Sequence, residues 1–164
     1  MSAKVGVVFG SETDIPVMRQ VAETLDSMGV EYEANIISAH RSPALAIEYA
    51  RTAQDRGIEV IIAGAGLAAH LPGTMAAWTT VPVIGIPVKA GALSGLDALL
   101  SIAQMPPGVP VATVGIDGAK NAALLACEIL ALKYPEIASR LAEMRRTQAE
   151  KIGARRGIDL LKEK

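Results

Sequence analysis

Residues 58–73 read IEVIIAGAGLAAHLPG, and the burial implied by the first half of this stretch decides the fold. From Val60 to Ala69 every residue is apolar or glycine, so neither face of the run carries a side chain suited to water. A strand of this kind is covered on both faces, as a central strand in a parallel sheet is. The run is interrupted by Gly64 and Gly66 and followed at once by His70, Pro72 and Gly73, which makes it too short and broken for a membrane span.

Working outward, four more runs rich in β-branched or apolar residues flank it: KVGVVF (4–9), EYEANII (31–37), VPVIGIP (81–87) and VPVATVGI (109–116). Helix-length segments separate them. The first, from Asp14, places Met18, Val21, Ala22, Leu25 and Met28 on one face, and Gly29 stands where a C-terminal cap belongs. The second starts with Ser42 as N-cap and Pro43 at the first helical position. Regular strand–helix alternation with right-handed crossovers predicts a three-layer α/β/α domain, a five-stranded parallel sheet in the flavodoxin-like order 2-1-3-4-5. Beyond the fifth strand, AKNAALLACEILALKY (119–134) is apolar nearly all round. A charged helix then follows Pro135, within a C-terminal segment 134–164, with Ile137, Leu141, Met144 and Ile152 on one stripe. That stripe fits its own domain or a neighbouring subunit, and the whole chain, 1–164, reads as one domain.

Composition narrows the functional classes. Sixteen basic against seventeen acidic side chains leave no charge excess of the kind that binds nucleic acid or anionic membranes, so any anion is held locally. Cys127 is the one cysteine, set within an apolar helix, which suits a reducing cytoplasm and a packing role. The N-terminus MSAKVGVVFG enters a strand almost at once and lacks the pattern of a secretory signal, so secretion is not expected.

In open parallel sheets, ligands bind beyond the carboxyl ends of the strands. In the order above, the loops after strands 1, 2 and 3 converge: GSETD (10–14), SAHRS (38–42) and GAGLAAHLPG (64–73). Gly10 with the hydroxyls of Ser11 and Thr13 precedes free N–H groups at a helix start, a ready anion site, although the same spacing also serves as a structural cap. Asp14 either caps the helix or accepts hydrogen bonds from neutral hydroxyls such as those of a ribose. Arg41 supplies a cation able to grip two phosphate oxygens, and His40 beside it is suited to proton transfer near neutrality. Gly64, Gly66 and Ala69 imitate a dinucleotide fingerprint, but after the wrong strand and without the acid that would hold a ribose. This third loop reads instead as an uncharged wall, with His70 placed for orientation or packing. No P-loop, nucleophile elbow or zinc-ligand spacing occurs, and no metal is expected.

Together, GSETD, SAHRSP, IIAGAGLAAHLPG, PVIGIPVKAGALSGLDALLSIAQMPPGVPVATV and AKNAALLA resemble the class I N5-carboxyaminoimidazole ribonucleotide mutases of bacterial purine biosynthesis, from about Val5 to Pro135. The resemblance implies a homo-octamer whose C-terminal helices reach neighbouring subunits, no cofactor, and a small-molecule ribonucleotide substrate. It also implies that Ser11, Asp14 and Arg41 hold the ribose phosphate, with Ser38 close by and Thr13 keeping a hydroxyl where the family has serine. His40 becomes the general acid and base, while Ala65, Gly66, His70 and Leu71 surround the imidazole and the migrating carboxylate. Two further departures are Phe9 for a methionine and Leu67 for a glycine, and leucine in a glycine conformation would be strained by about 1 kcal/mol or more. The rival readings are a class II enzyme that carboxylates aminoimidazole ribonucleotide directly with CO2, and a non-catalytic nucleotide-binding module.

Overall fold

The computed structural model describes residues 4–154. Five strands, β1 (Val5–Phe9), β2 (Tyr32–Ile36), β3 (Val60–Gly66), β4 (Val83–Val88) and β5 (Ala112–Thr113), form one parallel sheet in the order β2-β1-β3-β4-β5. This is the order expected from the sequence. Helices α1 (Ile15–Ser27), α2 (Pro43–Thr52), α3 (Leu71–Ala77), α4 (Leu96–Ala103), α5 (Ala119–Ala131) and α6 (Pro135–Gly153) complete the architecture.

Alternation along the strands sorts the core into two layers. Val60 and Ile62 of β3, with Val5, Val7, Ile84 and Ile86, pack against Met18, Val21 and Leu25 of α1 and the Ala122–Leu130 face of α5. Ile61, Ala63 and Ala65 point the other way, toward Ala46 and Tyr49 of α2, Met75 of α3 and Ile102 of α4. Leu25, Ile61 and Ile62 have no exposed surface, and burying each contributes about 2 kcal/mol. The alanines of α5 let that helix lie close to the sheet, with Cys127 fully buried among them as a small core residue.

One expectation, the start of the first helix, needs correction, and two other elements gain detail. β2 is the edge strand that the order implies, with Ala34, Asn35 and Ile36 exposed. The first helix does not begin at Asp14; a 3₁₀ turn spans Glu12–Asp14, its cap is the Ser11 hydroxyl, which accepts from the Thr13 N–H, and α1 starts at Ile15 with Pro16 in its first turn. The stripe on α6 is divided: Ile137 and Leu141 are buried in the protomer's own core, whereas Ile152 is 72% exposed. Residues 155–164 of the C-terminal segment lie outside the described residues. Gly29 closes α1 with φ +62, the left-handed conformation expected at that cap.

The register positions the site. Phe9 lies opposite both Ile36 and Gly64, so β1, β2 and β3 release their loops at the same level. Among the described residues, no helix is long and apolar enough to cross a membrane.

Candidate active site

At that level the three loops enclose a cleft of about 390 Å³. Gly10, Ser11, Thr13 and Asp14 line it from the first loop, Ser38 to Arg41 from the second, and Ala65 to Ala68, His70 and Leu71 from the third. All ten residues singled out from the sequence are therefore in one place. Ala90, from the loop after β4, also lines the cleft and was not singled out; its position at a strand's carboxyl end was the available signal.

The second loop is tightly held. Ser42 is the N-cap of α2, but its hydroxyl works on the loop: it accepts from the Ser38 N–H at 3.2 Å and donates to the Ser38 carbonyl at 3.0 Å. Arg41 then bridges two loops, donating from Nη2 to the Gly10 carbonyl at 2.6 Å and from Nε to Ser38 Oγ at 3.3 Å. In the first loop, the Thr13 hydroxyl donates to Ser11 Oγ at 3.0 Å, leaving the Ser11 proton free to point at an anion.

Asp14 stands at the N-cap position of α1 but its side chain makes no capping hydrogen bond to that helix. It is one of two buried polar side chains among the described residues. Burial pushes its carboxyl above the ordinary carboxylate range, while the Ser11 and Gly10 N–H groups, the Thr13 hydroxyl and the Arg41 charge pull the other way.

His40 and His70 meet across the cleft, with Nε2 of His40 2.6 Å from Nδ1 of His70 and the rings edge-to-face at 77°. One proton lies between these nitrogens, so one ring donates and the other accepts. The backbone fixes His70: its carbonyl accepts from the Thr74 N–H and hydroxyl, and its own N–H donates to Ala68. The His40 ring thus meets a residue whose backbone is held in place. Gly66 eases the close approach of the ends of β3 and β4, since a Cβ there would lie a tight 3.1 Å from the Val88 carbonyl oxygen.

The sequence model of the family described as AIR carboxylase matches residues 4–151. The chain belongs to the AIR carboxylase family. Three relatives named N5-carboxyaminoimidazole ribonucleotide mutase illustrate the range within it. The Pyrococcus abyssi protein is 66% identical over 87% of this chain and 82% of its own length. The Thermotoga maritima protein is 60% identical over 85% of this chain and 82% of its own length. The Pseudomonas aeruginosa protein is 53% identical over 93% of this chain and 94% of its own length. The crystal structure of Treponema denticola PurE superposes with a TM-score of 0.82, 30% identity, and coverage of 90% of this chain and 92% of that one.

One departure anticipated from the sequence has a visible form. Leu67 has φ 54, in the left-handed region, and its side chain is half exposed at the cleft.

Proposed function

We propose that this chain is an N5-carboxyaminoimidazole ribonucleotide mutase, which moves a carboxylate from the exocyclic N5 of an aminoimidazole ribonucleotide to ring carbon C4 in purine biosynthesis. The observation that carries this reading is one cleft that joins a guanidinium and three serine or threonine hydroxyls to a proton-sharing imidazole pair and an uncharged wall. The mutase names of the relatives support it.

Ser11, Thr13, Ser38 and Arg41 hold the phosphate, and Asp14 accepts hydrogen bonds from the ribose hydroxyls. Protonated His40 gives its proton to N5 as the N–C bond breaks; the electron pair stays on nitrogen and CO2 is freed. The C4 carbon then attacks CO2 with its enamine electron pair, and neutral His40 takes the C4 proton, restoring the aromatic ring. The proton account closes within one turnover. Ala65, Gly66 and Leu71 keep the reacting centre apolar, and holding both partners together replaces a bimolecular encounter by an intramolecular one.

The same reading includes a cytoplasmic homo-octamer. Leu93, Leu96 and Leu100, each about half exposed, and Leu132, 90% exposed, are apolar surface that assembly would cover. Light scattering at eight times the 17.1 kDa chain mass is the expected result.

The deciding experiment supplies substrate labelled in its carboxylate carbon, in unlabelled bicarbonate. Retention of label at C4 is expected. Label replaced by bulk carbon indicates the direct carboxylase, and binding without conversion indicates a non-catalytic module.

A further inference from the structure

We propose that Leu67 is the rim residue that retains freed CO2 in the cleft, and so sets the partition between carboxyl transfer and escape. This deepens the mutase reading and rests on it.

Three non-glycine residues among the described ones have positive φ: Leu67, Ser94 and Asp117. Aspartate tolerates that conformation through local hydrogen bonds, and Asp117 accepts one from the Lys89 N–H, whereas leucine has no such compensation. Core packing does not account for the unfavourable backbone either, because Leu67 is 52% exposed. Strain that the core does not offset is found at functional sites, and Leu67 lines the cleft.

Its side chain reaches the neighbouring loop. Leu67 Cδ2 lies so near Gly91 that a Cβ added there would approach it to 2.9 Å. The Gly91 loop is itself anchored: Asp117 Oδ1 accepts from the Lys89 N–H, and the Asp117 N–H donates to the Pro87 carbonyl, both at 2.8 Å. Leu67 thus spans the third and fourth strand-end loops against a fixed support. Leu71, the other leucine of the cleft, is buried beneath, so Leu67 is the leucine at the rim.

The chemistry explains why an apolar rim matters. Once the N5–C bond has broken, CO2 is uncharged and a weak acceptor, and the phosphate grip no longer tethers it. If it leaves before the C4–C bond forms, the ribonucleotide departs decarboxylated, carrying the proton from His40 on N5. Only the walls oppose that escape, together with entry of water.

The test uses Leu67→Gly and Leu67→Asn, both of which accept a left-handed backbone, with the carboxylate-labelled substrate. Three quantities are measured: decarboxylated ribonucleotide released per C4-carboxylated product, label retained in that product, and the melting temperature. The expected result is melting at or above the wild-type temperature with the release ratio raised by about tenfold, the scale on which lost apolar contacts in a pocket act. Unchanged ratio and retention in both variants, whatever their melting temperatures, overturns the rim assignment while leaving the mutase reading intact. Product of the wild-type chain carrying bulk carbon instead overturns the mutase reading and the rim assignment with it.

Discussion

At the scale of single residues, the imidazole pair can be separated by substitution. Because His40 is exposed and its ring meets the likewise exposed His70, His40→Asn is expected to leave the melting temperature unchanged while lowering turnover by about 10³-fold, the range of a lost general acid and base. His70→Asn removes orientation rather than proton capacity. Its turnover is expected to fall by about 10- to 100-fold with substrate KM nearly unchanged, and steady-state assays of both variants check the distinction. Asp14 carries an opposite balance, binding at the expense of stability. Its folded carboxyl holds a proton more tightly than the unfolded one, so its effect is most favourable below the ordinary value of 3.8 and is lost as pH rises. Asp14→Asn should therefore raise the melting temperature of the free protein at pH 7 but not at pH 3, while weakening substrate binding. Melting curves at the two pH values would refute this if the variant were no more stable at neutrality.

At the scale of elements, α6 is the helix whose role the division of its stripe defines. Leu141 is 7% exposed and sits in the layer formed by α1 and α5, and Arg140 reaches back to donate to the Met28 carbonyl at 2.6 Å. Arg145 also pairs with Glu128 of α5, so the proximal half of α6 belongs to the protomer. Leu141→Ala is expected to cost about 2–4 kcal/mol in denaturant unfolding, the usual penalty of a truncated core leucine. Ile152→Ser should change protomer stability by less than about 0.5 kcal/mol, since a largely exposed side chain loses little. Equal losses in the two variants would contradict the division of the helix.

At the scale of the whole molecule, one polar cluster ties together the end of the sheet remote from the cleft. Glu59, just before β3, accepts from Lys4 at 3.2 Å, from Lys133 at 3.1 Å and from the Tyr134 hydroxyl at 2.5 Å, joining residues far apart in the chain. Partial burial pushes the Glu59 carboxyl up, but the hydrogen bonds from Tyr134, Lys133 and Lys4 outweigh it and hold the carboxyl below its ordinary value of 4.5. Such a group stabilises the fold above 4.5 and loses that contribution as pH falls through its folded value. Glu59→Gln should therefore flatten the acid limb of the stability curve below about pH 4.5 while leaving turnover at pH 8 unchanged. An acid limb as steep as that of the unaltered protein would rule out the cluster as its source.

Much of the fold and most of the cleft were legible from the chain alone, for local reasons. The unbroken apolar run at 60–69 states its own burial, Gly29 and Pro43 mark helix ends through backbone chemistry, and residues just past strand ends must gather wherever a parallel sheet gathers its carboxyl termini. The sequence also placed a leucine where the backbone turns left-handed, through the resemblance its motifs carried. What depends on contacts between distant segments was not legible. That Nε2 of His40 faces Nδ1 of His70, that the hydroxyl of the N-cap Ser42 braces Ser38 instead of bonding a helix N–H, that Asp14 is buried without a side-chain cap bond, and that Leu67 leans on Gly91 all follow from relative rotations of packed loops. The pattern of apolar residues specifies which faces are covered, but side-chain direction at a site is set by the tertiary packing beneath it.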